Sequence, residues 1–348
     1  GVHLVEVDTG EARTPLAGEG RYAGLAFDEA GRRLAFLSDR DDWAADEPDW
    51  TLFLADTESP ESPENMEGPD EARAIARAGT EGVPSGWGVG RHRDPHFSET
   101  GRRLYFGTAP RPEPEPEELP EDERVTVDVW SWTDDLIQPM QLARLERERE
   151  RSYLAVAHLD EGGAARVVQL ANREYPDVAV EDEGELDVAL ATSDLPYRRM
   201  MSWDTQTFED VALVDVETGR RRTLLERERG SFALSPGGGW VTWWDPERTG
   251  WFALSAAGGR PVELGAGIPW PLDDQLHDTP ALPRSYGSGG WLADDAGFLI
   301  HDEHDVWLVD PRAPESPRCL TEGVGRREGM RFRVVDLDRE EEALDPAE

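Results

Sequence analysis

A short hairpin phrase recurs along this chain, and no other sequence feature limits its fold as much. The phrase is an apolar residue, a polar turn with Gly, then an alternating apolar strand. It stands at Phe27-Asp28-Glu29-Ala30-Gly31-Arg32-Arg33-Leu34-Ala35-Phe36 and again at Phe97-Ser98-Glu99-Thr100-Gly101-Arg102-Arg103-Leu104-Tyr105-Phe106. A third copy is Leu234-Ser235-Pro236-Gly237-Gly238-Gly239-Trp240-Val241-Thr242-Trp243, and a fourth is Trp291-Leu292-Ala293-Asp294-Asp295-Ala296-Gly297-Phe298-Leu299-Ile300. Gly accepts the positive φ such a turn needs, and Ser or acidic side chains can bond nearby backbone N–H groups. A second phrase follows the first: a strand ending in Asp, a turn, another strand. Leu4-Val5-Glu6-Val7-Asp8-Thr9-Gly10 and Leu213-Val214-Asp215-Val216-Glu217-Thr218-Gly219 show it, and Leu52–Asp56 and Trp307–Pro311 are degenerate copies.

Together the two phrases make two hairpins, hence a four-stranded antiparallel unit. Such units, repeated every ~40–60 residues, are the blades of a propeller. The expected fold is all-β: a β-propeller of four-stranded antiparallel blades with one short helical insertion. A β-sandwich and a β-solenoid are the alternatives. The whole chain, 1–348, reads as one propeller segment. Residues 1–16 are expected to be the outer half of a blade. Residues 21–77, 93–170, 175–226, 231–265 and 286–321 are expected to be five more, and 330–337 to start a further strand. A chain that opens and closes inside repeats is expected to be a fragment or a processed product. Glu58 to Asp70 and Pro110 to Asp122 are rich in Pro and Glu and predict extended, solvated loops. Asp135 to Arg151 alternates Glu and Arg among strong helix formers and predicts an exposed helix near 136–150, interrupting a blade.

Charge narrows the function classes. The chain has 74 Asp and Glu against 36 basic residues, all of them Arg, for a net charge of −38. A nucleic-acid binder needs a basic face, so no nucleic-acid partner is expected. The 13 Trp and the regular apolar strands argue for folding rather than disorder. An acidic surface of this kind suits high salt, where screening over about 3 Å at 1 M removes carboxylate repulsion, so stability is expected to rise with salt. No apolar run approaches the ~20 residues of a membrane helix. The lone Cys319 excludes an internal disulfide and gives no zinc pattern.

Sites of chemistry are scarce. No Ser sits in a Gly-x-Ser-x-Gly nucleophile elbow; Gly287-Ser288-Gly289-Gly290 and Arg229-Gly230-Ser231 come nearest and lack a flanking Gly at the required spacing. No phosphate loop or dinucleotide fingerprint is present. His301-Asp302-Glu303-His304-Asp305 could be drawn as a metal site, but it reads as a hairpin tip between Phe298–Ile300 and Val306–Val309 with no third ligand. Arg91-His92-Arg93-Asp94-Pro95-His96 reads as the entry to a blade's inner strand, with His96 toward the channel where propellers often bind ligands. Carboxylate neighbours such as Glu117-Glu118, Asp273-Asp274 and Glu341-Glu342 follow from composition and read as solvated faces. Trp130, Trp132, Trp203, Trp243, Trp244, Trp291 and Trp307 are assigned mostly to strands and to packing between blades. No residue is assigned as catalytic, cofactor-binding or metal-ligating, and no cofactor is expected.

The blade phrases Phe97–Phe106 and Trp307-Leu308-Val309-Asp310 resemble the repeats of TolB-like and prolyl oligopeptidase propellers. Longer stretches are similar to the N-terminal propeller of bacterial serine peptidases of the prolyl oligopeptidase and dipeptidyl-peptidase family. They are Val127-Asp128-Val129-Trp130-Ser131-Trp132, Gln138-Pro139-Met140-Gln141, Pro196-Tyr197-Arg198, Ser202-Trp203-Asp204 and Tyr286-Gly287-Ser288-Gly289-Gly290-Trp291. The resemblance implies a propeller that caps an α/β-hydrolase domain bearing Ser, Asp and His. That domain is not in this chain, so no triad residue carries over. Nor does any pair here match the acidic pair with which dipeptidyl-peptidase relatives bind a free amine. The implied role is gating and selection of short peptides, the peptide partner being met through the missing domain, with this chain inactive alone and a periplasmic or secreted location. A stand-alone TolB-like propeller working through protein contacts is the alternative; a propeller hydrolase with a central metal lacks a convergent His and acid set.

Overall fold

The structure, a computed structural model, describes residues 1–57, 72–112, 127, 129–160, 165–181, 184–204, 207–335 and 343–344. The expected loop at 58–70, and 113–122 of the expected loop at 110–122, lie outside them. The chain divides into two compact units, 1–178 with 183–185 and 215–220, and the remainder.

In the first unit β1 (Val2–Val5) and β2 (Ala12–Leu16) form a two-stranded ladder. Strands β3 (Tyr22–Phe27), β4 (Arg33–Ser38), β5 (Thr51–Asp56) and β6 (Arg73–Ala76) then form an antiparallel meander. The next sheet runs β11-β10-β9-β7, from β7 (Trp87–Val89), β9 (Arg103–Pro110), β10 (Tyr153–Leu159) and β11 (Ala165–Gln169), with β8 (His96–Phe97) also paired to β9. The insertion between β9 and β10 carries helix α1 (Gln138–Arg149), none of whose residues is buried. Pro139 stands in its first turn, where its missing N–H costs nothing, and Glu146–Arg149 and Glu148–Arg151 pair along its surface.

Alternation along β4 shows how the sheets stack. Leu34 and Phe36 enter one cluster with Val2, Leu16 and Phe53. Ala35 and Leu37 enter another with Leu104, Phe106 and Ala155 from the following sheet. A strand buried on both faces reads as a continuous apolar run, and Leu34 to Leu37 are all at 0% exposure. Each such Leu or Phe adds about 1.5–3 kcal/mol of burial. A sheet packed on both faces is not half of a two-layer sandwich; it is a blade between neighbouring blades.

The second unit repeats the pattern. Apart from Asp177, Val178 and Asp215, which belong to the first unit, its sheets are β12 (Asp177–Ala179) to β15, with β13 (Val188–Ser193), β14 (Phe208–Asp215) and β15 (Arg221–Arg229); β16 (Phe232–Leu234) to β19, with β17 (Trp240–Asp245), β18 (Gly250–Ser255) and β19 (Val262–Glu263); and β20 (Ser288–Trp291) to β23, with β21 (Phe298–His301), β22 (Val306–Val309) and β23 (Arg318–Cys319). Val241 and Trp243 of β17 pack with Leu213 and Leu190, while Trp240 and Trp244 pack with Trp291 and Ile300. A five-residue helix α2 (Val324–Glu328) follows β23. The chain is thus all-β, built of four-stranded antiparallel blades with one short helical insertion.

The hairpin phrases are capped from a distance. The turn at Ser98 closes through Gly101 N–H to the Ser98 carbonyl at 2.8 Å, with Gly101 at φ +68. Glu185 then accepts from Thr100 N and Oγ1, both at 2.8 Å. Burial pushes the Glu185 pKa up, but bonds from Ser98 and Thr100 outweigh it and hold it low. In the second unit Asp295 accepts from Ser235 Oγ at 2.8 Å and from Gly237 N and Gly239 N at 2.9 Å.

Three expectations are corrected. Residues 330–335 form no strand: Phe332 N–H donates to the His304 carbonyl at 2.8 Å and Val334 N–H to His301 Nε2 at 3.3 Å, which ties the segment to a hairpin tip rather than to a ladder. Trp130, Trp132 and Trp203 are not between blades; they are 63%, 87% and 74% exposed and lie outside the strands. The third sheet begins at Trp87, not 93.

Candidate functional site

The site grows out of an interrupted edge strand in the first unit. Strand β7 pairs Val89 with Thr108, and β8 resumes at His96 opposite Tyr105. Residues 90–95 therefore stand opposite only 106–107 and bulge from the sheet edge, as extra residues in one strand must. Gly90 N–H donates to the Gly107 carbonyl at 2.8 Å and fixes the start of the bulge. Buried Pro95 fixes its end by packing on Gly24, where an added Cβ would lie 2.7 Å from Pro95 Cδ. Gly24 has φ +59 and marks a register shift in β3.

Held at both ends, the bulge presents Arg91, His92, Arg93 and Asp94. Arg91 Nε donates to His92 Nε2 at 3.0 Å, and His92 Nδ1 lies 3.8 Å from Glu150 Oε1 beyond α1. His96 is exposed and stacks on the buried ring of Tyr105, centroids 5.1 Å apart at 15°. The Tyr105 hydroxyl donates to the Gly184 carbonyl at 2.7 Å and steadies the platform. Partial desolvation, then the Arg93 charge, lowers the His96 pKa, which favours a neutral ring at neutral pH.

Arg93 is half-buried. Desolvation lowers its pKa against the pull of Asp177, and no hydrogen bond or ion pair reaches it among the described residues. Gly107 makes its room: an added Cβ would lie 2.8 Å from Arg93 Cβ and 3.0 Å from Ser152 Cβ. Ser152 Oγ, closed to solvent beneath, has no hydrogen-bond partner. The neighbouring Arg151 is already satisfied by Glu148, with two bonds of 2.8 Å, and by Asp177 at 3.4 Å.

The other sequence candidates are occupied by their own turns. His301 to Asp305 is the tip between β21 and β22, as expected. Asp302 accepts from His304 N, Asp305 N and Trp307 Nε1 at 2.6, 2.8 and 2.9 Å, and Asp305 from Thr321 Oγ1 at 2.6 Å and Gly325 N at 2.9 Å. Among the described residues no group of three or more His, Cys, Asp or Glu could hold a metal. Ser288 opens strand β20 and Ser231 lies between two strands; neither precedes a helix as an elbow Ser would. Of the family-like stretches, Tyr197 donates to Asp210 at 2.5 Å, its pKa pushed up to about 12 by burial and then by that carboxylate, and Asp204 pairs with Arg229 at 2.5 Å. Sequence reading placed Arg93 at a strand entry; the paired glycines at 90 and 107 were the signal of an unusual edge.

No protein-family model and no curated protein matches the chain. Among solved structures it is similar to TolB from Acinetobacter baumannii, at 11% identity and a TM-score of 0.29, over 88% of this chain and 55% of that one. It is similar to the β-propeller domain of the Trilobed protease from Pyrococcus furiosus, at 12% identity and a TM-score of 0.33, over 90% of this chain and 72% of that one. A prolyl endopeptidase structure gives 13% identity and a TM-score of 0.36, over 90% of this chain and 38% of that one. The chain thus spans about half of the TolB chain and less of the endopeptidase. With all three scores below 0.5, the fold rests on the strand pairing and packing above. Among the described residues no helix is long and apolar enough to cross a membrane.

Proposed function

We propose that this chain is the non-catalytic propeller portion of a serine peptidase of the prolyl oligopeptidase family, binding short peptides and limiting access to an active serine in another domain. The observation that carries the reading is the bulged edge at 90–96, which offers Arg and His side chains on a rigid blade while no nucleophile elbow exists in the chain. The sequence resemblance supplies the family, and with it a periplasmic or secreted location. An unactivated Ser is a poor nucleophile without a base and oxyanion donors, so the chain alone hydrolyses nothing. A TolB-like propeller acting through protein contacts is the second reading. It is favoured by the insertion before α1, where Val127, Val129, Trp130 and Trp132 are 63–87% exposed.

The test is a fluorophosphonate label and aminoacyl-proline reporters applied to the isolated chain and to the full-length product of its gene. Labelling of the full-length product alone is expected. Labelling of the isolated chain overturns its inactivity, and an inert full-length product leaves the protein-contact reading in front.

A further inference from the structure

We infer that Arg93 anchors a carboxylate site, taking the C-terminal carboxylate of a short peptide. The inference rests on the peptide-binding reading and names what that site recognises. Its first support is an imbalance. The chain has 74 acidic residues to 36 arginines, so an arginine has carboxylates in plenty to choose from. The partly or fully buried Arg33, Arg103, Arg151, Arg198, Arg229 and Arg326 each have an acidic or carbonyl partner. Arg93 is shielded as they are and has no such partner among the described residues. Shielding a guanidinium without a hydrogen-bonded anion costs free energy that an incoming anion returns.

The second support is shape. Gly107 lies in a regular strand, and its φ is not positive, so backbone conformation does not demand glycine there. Space does: any side chain would collide with Arg93 and Ser152. Gly90 repeats this from the other side, where a Cβ would meet Ser152 Oγ at 2.9 Å. The sheet is thinned on both strands at the point where Arg93 leaves the bulge.

The third support is charge, which selects the anion. Asp177 acts on Arg93, and Glu150 lies 3.8 Å from His92. These carboxylates oppose a dianion such as phosphate more than a singly charged group. A planar carboxylate matches the guanidinium fork with two parallel bonds. The acidic surface disfavours nucleic acid, and His96 on its Tyr105 platform gives an adjacent peptide unit a neutral hydrogen-bonding ring.

The experiment is calorimetric titration of the chain with N-acetyl-Ala-Ala-Ala, its C-terminal amide, and N-acetyl-Ala-Glu-Ala-amide. The expected result is binding of the free acid at least tenfold tighter than that of either amide. Arg93→Gln is expected to erase the difference with an unchanged melting temperature, Arg93→Lys to keep part of it through charge alone, and Arg260→Gln, exposed ahead of β19 and outside the site, to keep it whole. Equal binding of acid and amide, or a difference that survives Arg93→Gln, overturns the inference. Preference for the Glu peptide overturns the C-terminal assignment. An inert full-length product in the labelling test would sink the peptidase reading and leave the acid–amide difference standing. Loss of that difference with labelling intact would sink this inference alone.

Discussion

Arg229 and Arg93 are both shielded arginines, and their surroundings differ completely. Arg229, at the end of β15, gives Nη1 and Nη2 to Asp204 at 3.1 and 2.5 Å, lies with Nε 3.1 Å from Glu247, and stacks 4.0 Å from the Phe208 ring. The Asp204 bond raises its pKa. Arg93 has a lowered pKa and no bonded anion among the described residues. The difference separates two uses of one side chain. Arg229 is ion-paired within the fold and holds the segment around Asp204 to its sheet; Arg93 is positioned by the fold and left for something outside it.

Stability should separate them first. Arg229→Gln strands Asp204 and Glu247, and because Asp204 is itself 24% exposed the cost is discounted to about 2 kcal/mol. Arg93→Gln breaks no bond and should stay within about 0.5 kcal/mol of the parent. Urea unfolding of the two variants measures this; equal losses would erase the distinction.

His301 extends the contrast to a group satisfied by staying neutral. Burial, then the Arg333 charge, pushes its pKa down to about 4, with Asp302 opposing. The folded pKa lies below the ~6.5 of an unfolded His, so between them the unfolded chain binds the extra proton. The contribution is therefore complete above pH ~6.5 and is lost as pH falls toward 4, by roughly 2 kcal/mol or more. His301→Gln, which keeps an acceptor for Val334 N–H, should flatten that part of the stability–pH curve. An unchanged slope would mean that His301 titrates normally.

The distant turn cap gives a smaller effect. Asp295→Asn keeps the shape but weakens the bonds from Ser235, Gly237 and Gly239, at a cost of about 1 kcal/mol in thermal melts. No change would place the turn's stability in Gly238 and its positive φ alone.

These groups also mark where the sequence was legible. Gly101 and Gly238 follow from local turn chemistry, and the apolar runs of β4 and β17 from burial on two faces. Helix α1 was readable from Glu and Arg spacing, close to its observed bounds. Asp295 and Glu185 were not, since they cap turns 60 and 85 residues away in sequence. Trp130 and Trp132 misled because an aromatic residue usually means core; here both are mostly exposed, and the flanking Ser131, Thr133 and Asp134 were the contrary signal. Met330 to Val335 alternates like a strand but spends its N–H groups on His301 and the His304 carbonyl. The bulge at 90–95 stayed hidden because an edge reads the same whether or not it is interrupted; its register is set by Thr108 and Tyr105 across the sheet.

The contrast between the two arginines is tested most directly by thermal melts of the parent chain, Arg229→Gln and Arg93→Gln, each with and without saturating N-acetyl-Ala-Ala-Ala. A ligand that binds only the folded state raises the melting temperature. The expected result is a lower melting point for Arg229→Gln with the ligand-induced rise intact, and a parent-like melting point for Arg93→Gln with the rise gone. An Arg93→Gln variant that melts as low as Arg229→Gln, or still responds to the peptide, would contradict the assignment of Arg93 to an external carboxylate.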